Sequence, residues 1–410
     1  MRLRDYQTEI VEKGTQVLKK HGFLYLAMEV RTGKTLTSLA MSLALPVHNL
    51  LFITKKKAIS SIQGDYDMLN PSYNITIINY ESLHKVSHET KWDMIVCDEA
   101  HSMGAFPKPS LRAKTVKEFI IKHNPYVILL SGTPTPESYS QMYHQVYGIR
   151  TNPFQSYVNF YKFAKKYVQV KQKKIGAMPI NDWSHGLQSI LDDMKPYTIA
   201  YTQKEAGFKV NTDEEVLHVP LTSVIKSLVR RLTKDRVVEG SENVILADTA
   251  VKLMSKLHQL YSGTVKFESG ESMVIDLSKA EFIRKQFRSK KIAIFYKFKE
   301  ELNALKKVYR KGLCTELEEF NSTNKSIALQ IVSGREGISL KNAQALVYYN
   351  IDFSATSYWQ SRDRMTTKDR LYNKIYWVFS EGGIEDDIYK SVIKKKDYTL
   401  NHFKKDLLNL

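Results

Sequence analysis

Cysteine is scarce in this chain, which has two cysteines in 410 residues. Cys97 and Cys314 stand far apart, and neither has a partner cysteine at metal-ligand spacing. Such usage predicts no disulfide framework, and a chain of this length can bury large cores without one. We therefore interpret both cysteines as core residues, and Cys97 lies inside an apolar run.

Long apolar runs are also missing from the sequence. No run approaches the roughly 20 residues that a membrane-spanning helix needs. The first six residues, Met1–Tyr6, lack the apolar stretch of a signal peptide. We therefore expect no membrane association and a cytoplasmic location.

Acidic residues are outnumbered by basic ones, with 43 Asp and Glu against 61 Lys and Arg, for a net charge of +18. Such an excess favours polyanionic partners, because basic side chains that neutralise phosphates release bound counterions. A solubilising surface or a ribosome-associated protein would have the same charge. Net charge alone therefore does not identify the partner.

No internal repeat and no low-complexity linker interrupts the chain. Short apolar segments alternate instead with segments of helical period such as 34–45 and 110–122, and this pattern occurs twice. Alternation of this kind predicts parallel sheets covered by helices on both faces, an α/β fold. The predicted strands are Leu24–Ala27, Leu50–Thr54, Ile75–Asn79, Met94–Cys97 and Val127–Ser131, then Ile292–Tyr296, Ile327–Val332, Ala345–Asn350 and Ile375–Phe379.

The middle of the chain has a different character, mostly of helical period and rich in lysine and aromatic residues. Segment Tyr157–Lys174 alone contains six lysines and five aromatic residues. We predict two α/β lobes with a helical insertion between them. The expected boundaries are residues 1–150 for lobe 1, 151–270 for the insertion and 271–410 for lobe 2.

A phosphate-binding loop is predicted after the first strand, where Thr32-Gly33-Lys34-Thr35 opens a helix. Backbone N–H groups and the helix N-terminus would bind the phosphates, Lys34 would reach the β and γ oxygens, and the Thr35 hydroxyl would hold Mg²⁺. The full pattern has a glycine five residues before Gly33, and this chain has Met28 there. The alternative interpretation is an ordinary helix N-terminus capped by Thr32.

An acidic motif, Asp98-Glu99-Ala100-His101, follows the predicted strand 94–97. Asp98 would then lie at the carboxyl edge of a parallel sheet, where ligands bind in this architecture. We expect Asp98 to hold Mg²⁺, directly or through water, and Glu99 to orient and deprotonate an attacking water. A solvated acidic turn is the alternative, and a phosphate loop upstream argues against it.

Together, these two motifs resemble motifs I and II of the superfamily 2 helicases, and further motifs follow in that family's order. The resemblance covers nearly the whole chain and favours the Swi/Snf-like branch, while the compact length resembles phage-encoded members. The remaining similar segments are residues 3–7 (Q motif), 79–83 (a segment before motif II), 131–134 (motif III), 333–340 (motif V) and 358–364 (motif VI), with shorter similarities at 195–199 and 257–263.

The resemblance implies two RecA-like lobes, with ATP and Mg²⁺ bound in the cleft between them. From lobe 1 it assigns Gln7 to adenine, and His101 to coupling between motif II and motif III or the second lobe. Arg364 matches the first arginine of motif VI, which stabilises charge on the transferred phosphate. The second arginine position holds Thr367, and Arg362 or Arg370 are the candidate substitutes. The full nucleotide-binding set is Arg4, Gln7, Thr32, Gly33, Lys34, Thr35, Gly337, Gln360 and Arg362, and the catalytic set is Lys34, Asp98, Glu99 and Arg364.

Nucleic acid is expected to cross both lobes in this family. Lysines after the second strand and in segment 157–174 would bind phosphates without reading sequence. For each lysine a solvated surface is the alternative, and we expect the aromatic rings of segment 157–174 to pack inward more often than to stack on bases. The predicted contacts are Lys55, Lys56, Lys57, Thr133, Lys165, Lys166, Ser333 and Arg335.

The resemblance therefore predicts a DNA translocase or helicase that couples ATP hydrolysis to movement on duplex, forked or branched DNA, with replication or recombination proteins as partners. Three alternatives remain at this stage. One is an RNA helicase, and another is an ATP-gated nucleic-acid-binding assembly factor with weak hydrolysis, which Met28 and Thr367 favour. The third is a motor subunit that serves a separate nuclease.

Overall fold

A computed structural model describes residues 3–87, 89–175, 178–240, 243–334 and 338–394. The described residues form two compact units, which divide between Gly207 and Phe208. No helix of these described segments is both long and apolar enough to span a membrane.

The first unit begins with a helix and then alternates strands with helices. In chain order its elements are α1 (Asp5–His21), β1 (Phe23–Met28), α2 (Lys34–Leu43), β2 (Asn49–Thr54), α3 (Ile59–Leu69), β3 (Asn74–Asn79), β4 (Met94–Cys97), α4 (Leu111–His123), β5 (Tyr126–Leu130), α5 (Met142–Gln145), α6 (Phe160–Tyr167), β6 (Lys171–Ile175), β7 (Met178–Asp182), α7 (Ser189–Met194) and β8 (Thr198–Tyr201).

Six of these strands form one parallel sheet in the order β3-β2-β4-β5-β1-β8. Strands β1 and β4 are buried along their whole length. Because both faces of a central parallel strand are covered, such strands are continuously apolar, as Phe23–Met28 is. The loops after β1, β2, β4 and β5 therefore meet at one edge of this sheet, its carboxyl edge.

Helix α6 has a lysine face and an aromatic face. Phe160, Phe163 and Tyr167 are buried in a cluster of aromatic rings, whereas Lys165 and Lys166 are exposed. Three rings of this helix therefore pack inward, whereas the fourth, Tyr161, is exposed. After α6 the chain forms a small antiparallel hairpin from β6 and β7.

The second unit contains a second large sheet and a group of short elements beside it. Its elements are β9 (Asn211–Val219), α8 (Ser223–Asp235), β10 (Val237–Glu239), β11 (Val244–Leu246), α9 (Ala250–Tyr261), β12 (Thr264–Lys266), β13 (Ser272–Val274), α10 (Ser278–Gln286), β14 (Ile292–Tyr296), α11 (Lys299–Tyr309), β15 (Leu313–Cys314), α12 (Leu317–Ser322), β16 (Ser326–Gln330), α13 (Ile331–Gly334), β17 (Ala345–Tyr348), α14 (Ala355–Arg362), β18 (Tyr372–Ser380) and α15 (Glu385–Lys394).

The second large sheet is also parallel, in the order β15-β16-β14-β17-β18-β9. Its buried strands pack against helices on both faces, with Trp377 stacked on Tyr348 at 3.8 Å between ring centroids. Strands β10 to β13 form two antiparallel hairpins that pack with α8 and α9 around a small apolar core. The prediction of two parallel sheets flanked by helices, as in RecA-like lobes, is confirmed.

All nine predicted strands are present, with shifted ends in several cases. The clearest difference follows Gln330, where the predicted strand 327–332 gives way to helix α13. The expected boundaries near 150 and 270 also differ from the observed division. Residues 151–207 join the first unit because β8 pairs with β1, and the chain from 208 onward joins the second because β9 pairs with β18.

Candidate functional site

The predicted phosphate loop connects the end of β1 to the start of α2. Gly33, the residue before the helix, has φ +82, and a Cβ there would lie 2.4 Å from Gln7 Nε2. Both the left-handed backbone and the close approach require glycine. The loop is held from inside by buried Thr32, whose hydroxyl donates to the Glu29 carbonyl at 2.7 Å. Its N–H groups lie at a helix N-terminus, a geometry that binds anions.

Lys34 and Thr35 occupy the first turn of α2 and so lie at the carboxyl edge of the first sheet. Lys34 is close enough to the acidic motif for its positive charge to lower the pKa of Asp98. Ser38 donates to the Thr35 carbonyl at 2.7 Å, which fixes this turn of the helix. The structure thus brings Lys34, with Thr35 beside it in the same helical turn, close to an acidic motif that lies more than 60 residues later in the chain.

Gln7 lies on helix α1 directly behind the loop and is almost fully buried. Its Nε2 donates to Thr37 Oγ1 at 3.3 Å and to the Gly33 carbonyl at 3.4 Å, while its Oε1 accepts from the Arg4 N–H at 3.0 Å. These contacts tie the predicted Q motif to the phosphate loop. The roles of Gln7 and Arg4 toward adenine stay predictions.

Asp98 follows β4 and is also nearly buried. Its Oδ2 accepts from the Thr54 hydroxyl at 2.8 Å, and Tyr80 donates to its carbonyl at 2.7 Å. Its Oδ1 is buried and has no hydrogen-bond partner among the described residues. Burial and the neighbouring Glu99 carboxylate raise the pKa of Asp98 to about 6, against the opposing effect of Lys34.

This arrangement fits a bound Mg²⁺. The ion takes oxygen ligands and is commonly held by one or two carboxylates together with substrate phosphates. The unpartnered Oδ1 of Asp98 is such an oxygen, and a cation beside it would offset the cost of burying its charge. Asp98, with the Thr35 hydroxyl in the first turn of α2, would hold the ion.

Glu99 and His101 begin a series of polar contacts that runs from the acidic motif to Ser131 and Thr133. Glu99 has φ +51, and its Oε2 lies 3.3 Å from His101 Nδ1. The same nitrogen lies 3.0 Å from Ser131 Oγ, which accepts from the Thr133 N–H at 3.1 Å. Motif II is thereby joined to motif III, the first of the two couplings expected for His101. Thr133 itself is half-buried, so its contact with nucleic acid stays a prediction.

Residues 201–203, at the end of β8 and just after it, contact the phosphate loop and its surroundings. We call this segment the strap, and the sequence did not predict it. Gln203 Nε2 donates to the Val30 carbonyl at 3.0 Å, and the Gln203 N–H donates to Glu29 Oε2 at 2.6 Å. Tyr201 stacks on Tyr6 with 4.8 Å between ring centroids. Tyr201 and Gln203 fall in the predicted helical insertion, and no motif in the sequence marks them.

The second unit contains the motif VI residues. Arg364 is nearly buried, and its Nε donates to the Gln360 carbonyl at 2.8 Å, one helical turn away. Gln360 is buried on α14. The catalytic role of Arg364 and the nucleotide contact of Gln360 stay predictions.

Both candidate substitutes for the arginine missing at Thr367 have structural partners. The Arg362 guanidinium lies 2.8 Å from Glu214 Oε1 on β9, in a largely buried ion pair. Arg370 donates to the carbonyls of Tyr372, Lys341 and Ala343. In this conformation, contacts inside the second unit occupy both guanidinium groups.

The predicted nucleic-acid contacts are distributed over several surfaces. Lys56 and Lys57 are exposed after β2, and Lys55, partly exposed, is near enough to lower the pKa of Asp98. Lys165 and Lys166 lie on the exposed face of α6. Ser333 lies in α13, and Arg335 and Gly337 lie outside the described residues.

More than half of the chain matches a known protein family. A model described as the SNF2-related domain matches residues 50–293. The matched range includes the acidic motif and the 131–134 motif, whereas Lys34 and Arg364 lie outside it. No curated protein matches the chain.

Proposed function

Because this chain belongs to the SNF2-related domain family, we propose that it is an ATP-dependent translocase or helicase that acts on duplex or branched DNA. Members of the family are ATPases that use ATP with Mg²⁺ and bind nucleic acid. The observation that most supports hydrolysis here is the buried, unpartnered Oδ1 of Asp98 opposite the helix that starts with Lys34 and Thr35.

In the proposed mechanism, the loop N–H groups and Lys34 bind the phosphates of ATP. When bound, Mg²⁺ would neutralise charge that develops on the transferred group. Glu99 would orient the attacking water and accept its proton, with His101 fixing the position of the carboxylate. Arg364 would add positive charge at the γ-phosphate.

Nucleic-acid binding in the proposal rests on lysines that would contact phosphates. Lys56 and Lys57 at the carboxyl edge of the first sheet and Lys165 and Lys166 on α6 are exposed and would supply sequence-independent affinity. Such contacts would let the protein move along DNA without regard to sequence. RNA remains the alternative substrate, and replication, recombination or repair intermediates are the proposed setting.

A second candidate function is an ATP-gated binding protein with weak hydrolysis. It is favoured by Thr367 at the second arginine position, together with the engagement of Arg362 by Glu214 and of Arg370 by backbone carbonyls. Under this alternative, ATP binding would regulate nucleic-acid binding, and turnover would stay low in the presence of DNA.

The role proposed for Glu99 is tested with Glu99→Gln. The amide keeps the size of the side chain but accepts no proton, so we expect unchanged ATP affinity and a turnover reduced at least 100-fold. Glu89→Gln, at an exposed carboxylate of the same unit, serves as the matched control. Wild-type turnover in Glu99→Gln would show that another group activates the water.

A further inference from the structure

A basic cavity lies at the amino edge of the second sheet, on a part of the molecule that none of the motifs includes. Its volume is about 640 Å³, within the usual range of ligand sites. Guanidinium, ammonium, amide and hydroxyl groups line it, and the described lining contains no carboxylate. The residues that concern us are Arg284, Arg288, Lys290, Lys291, Asn342 and Gln344.

The cavity is separated from motifs V and VI by the thickness of the sheet. Lys291 and Gln344 immediately precede β14 and β17, and Ser326 is the first residue of β16. The motifs instead follow the carboxyl ends of β16 and β17. Strands of four or five residues rise about 3.3 Å per residue, so roughly 15 Å of sheet separates the two edges.

One wall of the cavity is rigidly built. Lys291 Nζ donates to the carbonyls of Phe320 and Thr323 at 2.5 Å each. The Lys291 N–H donates to Gln344 Oε1 at 2.8 Å, and the Gln344 N–H donates back to the Lys291 carbonyl at 2.8 Å. Lys291 therefore has a structural role, because its hydrogen bonds fix the positions of the residues around it.

Three other cations are exposed at the cavity and are not neutralised. Arg284, Arg288 and Lys290 form no ion pair with any carboxylate in the described part of the chain. Arg284 lies 5.0 Å from the centroid of the Tyr309 ring, a contact that orients the guanidinium and leaves its charge intact. Like charges gathered in this way repel one another unless an anion binds among them.

We propose that this cavity binds the phosphodiester backbone of nucleic acid, as a contact separate from the helicase motifs. Guanidinium groups form paired hydrogen bonds with phosphate oxygens, and the Asn342 and Gln344 amides add neutral hydrogen-bonding groups. Such a set gives affinity without sequence preference. The identity of the ligand rests on the proposed function, whereas the site itself rests on the cavity and its charges.

The test is a triple variant, Arg284→Gln, Arg288→Gln and Lys290→Gln, which leaves Lys291 in place. Its matched control is Lys226→Gln, Arg230→Gln and Lys234→Gln, which removes the same charge from the exposed face of α8 in the same unit. Binding of a labelled DNA duplex is measured from about 50 to about 200 mM salt. The midpoint of thermal unfolding of each variant shows whether it folds normally. If the triple variant is unstable, the double variant Arg288→Gln and Lys290→Gln replaces it, because that variant keeps the Arg284 contact with Tyr309.

We expect the cavity variant to bind DNA roughly tenfold more weakly than wild type, with a log–log salt slope smaller by roughly two to three. The control should keep the wild-type slope. Equal binding by the two triple variants would overturn the inference while leaving the proposed function intact, and an acidic polypeptide would become the ligand class to test. If wild-type protein does not bind nucleic acid at all, the proposed function fails first, and this inference fails with it.

Discussion

Asp98 is placed so that a bound cation would be favourable, and this placement lowers the stability of the protein when no cation is bound. Its carboxylate is nearly buried, one oxygen has no hydrogen-bond partner among the described residues, and Glu99 is adjacent. Each of these features penalises the ionised form. A cation at the free oxygen would remove the penalty, so ligand binding and stability should be linked through this residue.

Asp98 should therefore make the nucleotide-free protein less stable as pH rises. The pKa of Asp98 is about 6 in the folded protein, whereas 3.8 is the ordinary pKa of an aspartate and applies to the unfolded chain. Between these values the unfolded chain loses the proton while the folded protein keeps it, so stability falls through this window and stays low above it. We expect the thermal midpoint of wild type, relative to Asp98→Asn, to drop by a few degrees from pH 5 to pH 7.5.

The control for this measurement is Asp235→Asn, at an exposed carboxylate whose removal should leave the pH profile of wild type unchanged. Parallel profiles for wild type and Asp98→Asn would contradict the account, because the buried charge would then have no cost. Adding Mg²⁺ and ATP should reduce the difference between the two proteins.

Arg362 has a structural partner that the sequence does not reveal. Its place in motif VI makes it a predicted nucleotide contact and a candidate substitute for the missing second arginine. The structure instead pairs it with Glu214, which also accepts hydrogen bonds from Tyr358 and Trp377. Glu214 lies on β9, nearly 150 residues earlier in the chain, and no local pattern in the sequence connects the two.

Among the elements, all eight interior strands of the two large sheets were predicted, whereas three of the four edge strands, β8, β9 and β15, were not. The strand Met94–Cys97 is a continuous apolar run bounded by polar residues, and such a run predicts a buried parallel strand. The edge strand β9 has the sequence NTDEEVLHV, and its exposure alternates along its length. Its partner β18 holds it in the sheet, and that partner is remote in sequence.

The strap after β8 is the element with the clearest consequence for nucleotide binding. Gln203 links β8 to the phosphate loop through Val30 and Glu29. Truncation to Gln203→Ala removes the side-chain hydrogen bond, which is worth about 1 kcal/mol, and leaves the loop less well positioned. We expect the KM for ATP to rise by roughly 2- to 10-fold, with kcat changed much less.

Lys204→Ala is the matched control, since Lys204 is the adjacent residue and its side chain is exposed. Steady-state ATPase measurements over a range of ATP concentrations separate the two parameters. The strap would have no role in positioning the loop if the two variants had the same KM.

At the scale of the whole molecule, the sequence predicted two parallel sheets and the order of the motifs, but not how the chain is shared between the units. The predicted insertion was inferred from a helical, lysine-rich composition. In the structure its first part completes the sheet of the first unit and its second part begins the sheet of the second. The division is set by pairing between strands that are far apart in sequence, and amino-acid composition does not reveal which strands pair.

Net charge is likewise a property of the whole molecule whose location the sequence does not reveal. The excess of +18 includes lysines at the carboxyl edge of the first sheet, lysines on α6 and the basic cavity of the second sheet. Only the first two groups belong to segments that the sequence singled out. The cavity forms because the starts of three strands bring the amide residues Asn324, Asn342 and Gln344 next to the basic segment 284–291.

Whether this chain is a DNA-dependent ATPase is tested by its steady-state ATPase rate. The rate is measured for wild type and Lys34→Ala without nucleic acid and with single-stranded DNA, duplex DNA, forked DNA or RNA. We expect strong stimulation by duplex or forked DNA that Lys34→Ala abolishes, because the lysine would bind the phosphates of ATP. Stimulation by RNA alone would place the protein among the RNA helicases. An ATPase rate that no nucleic acid changes, in a protein that binds ATP, would show that the chain is not a nucleic-acid-dependent motor and would support the ATP-gated binding protein.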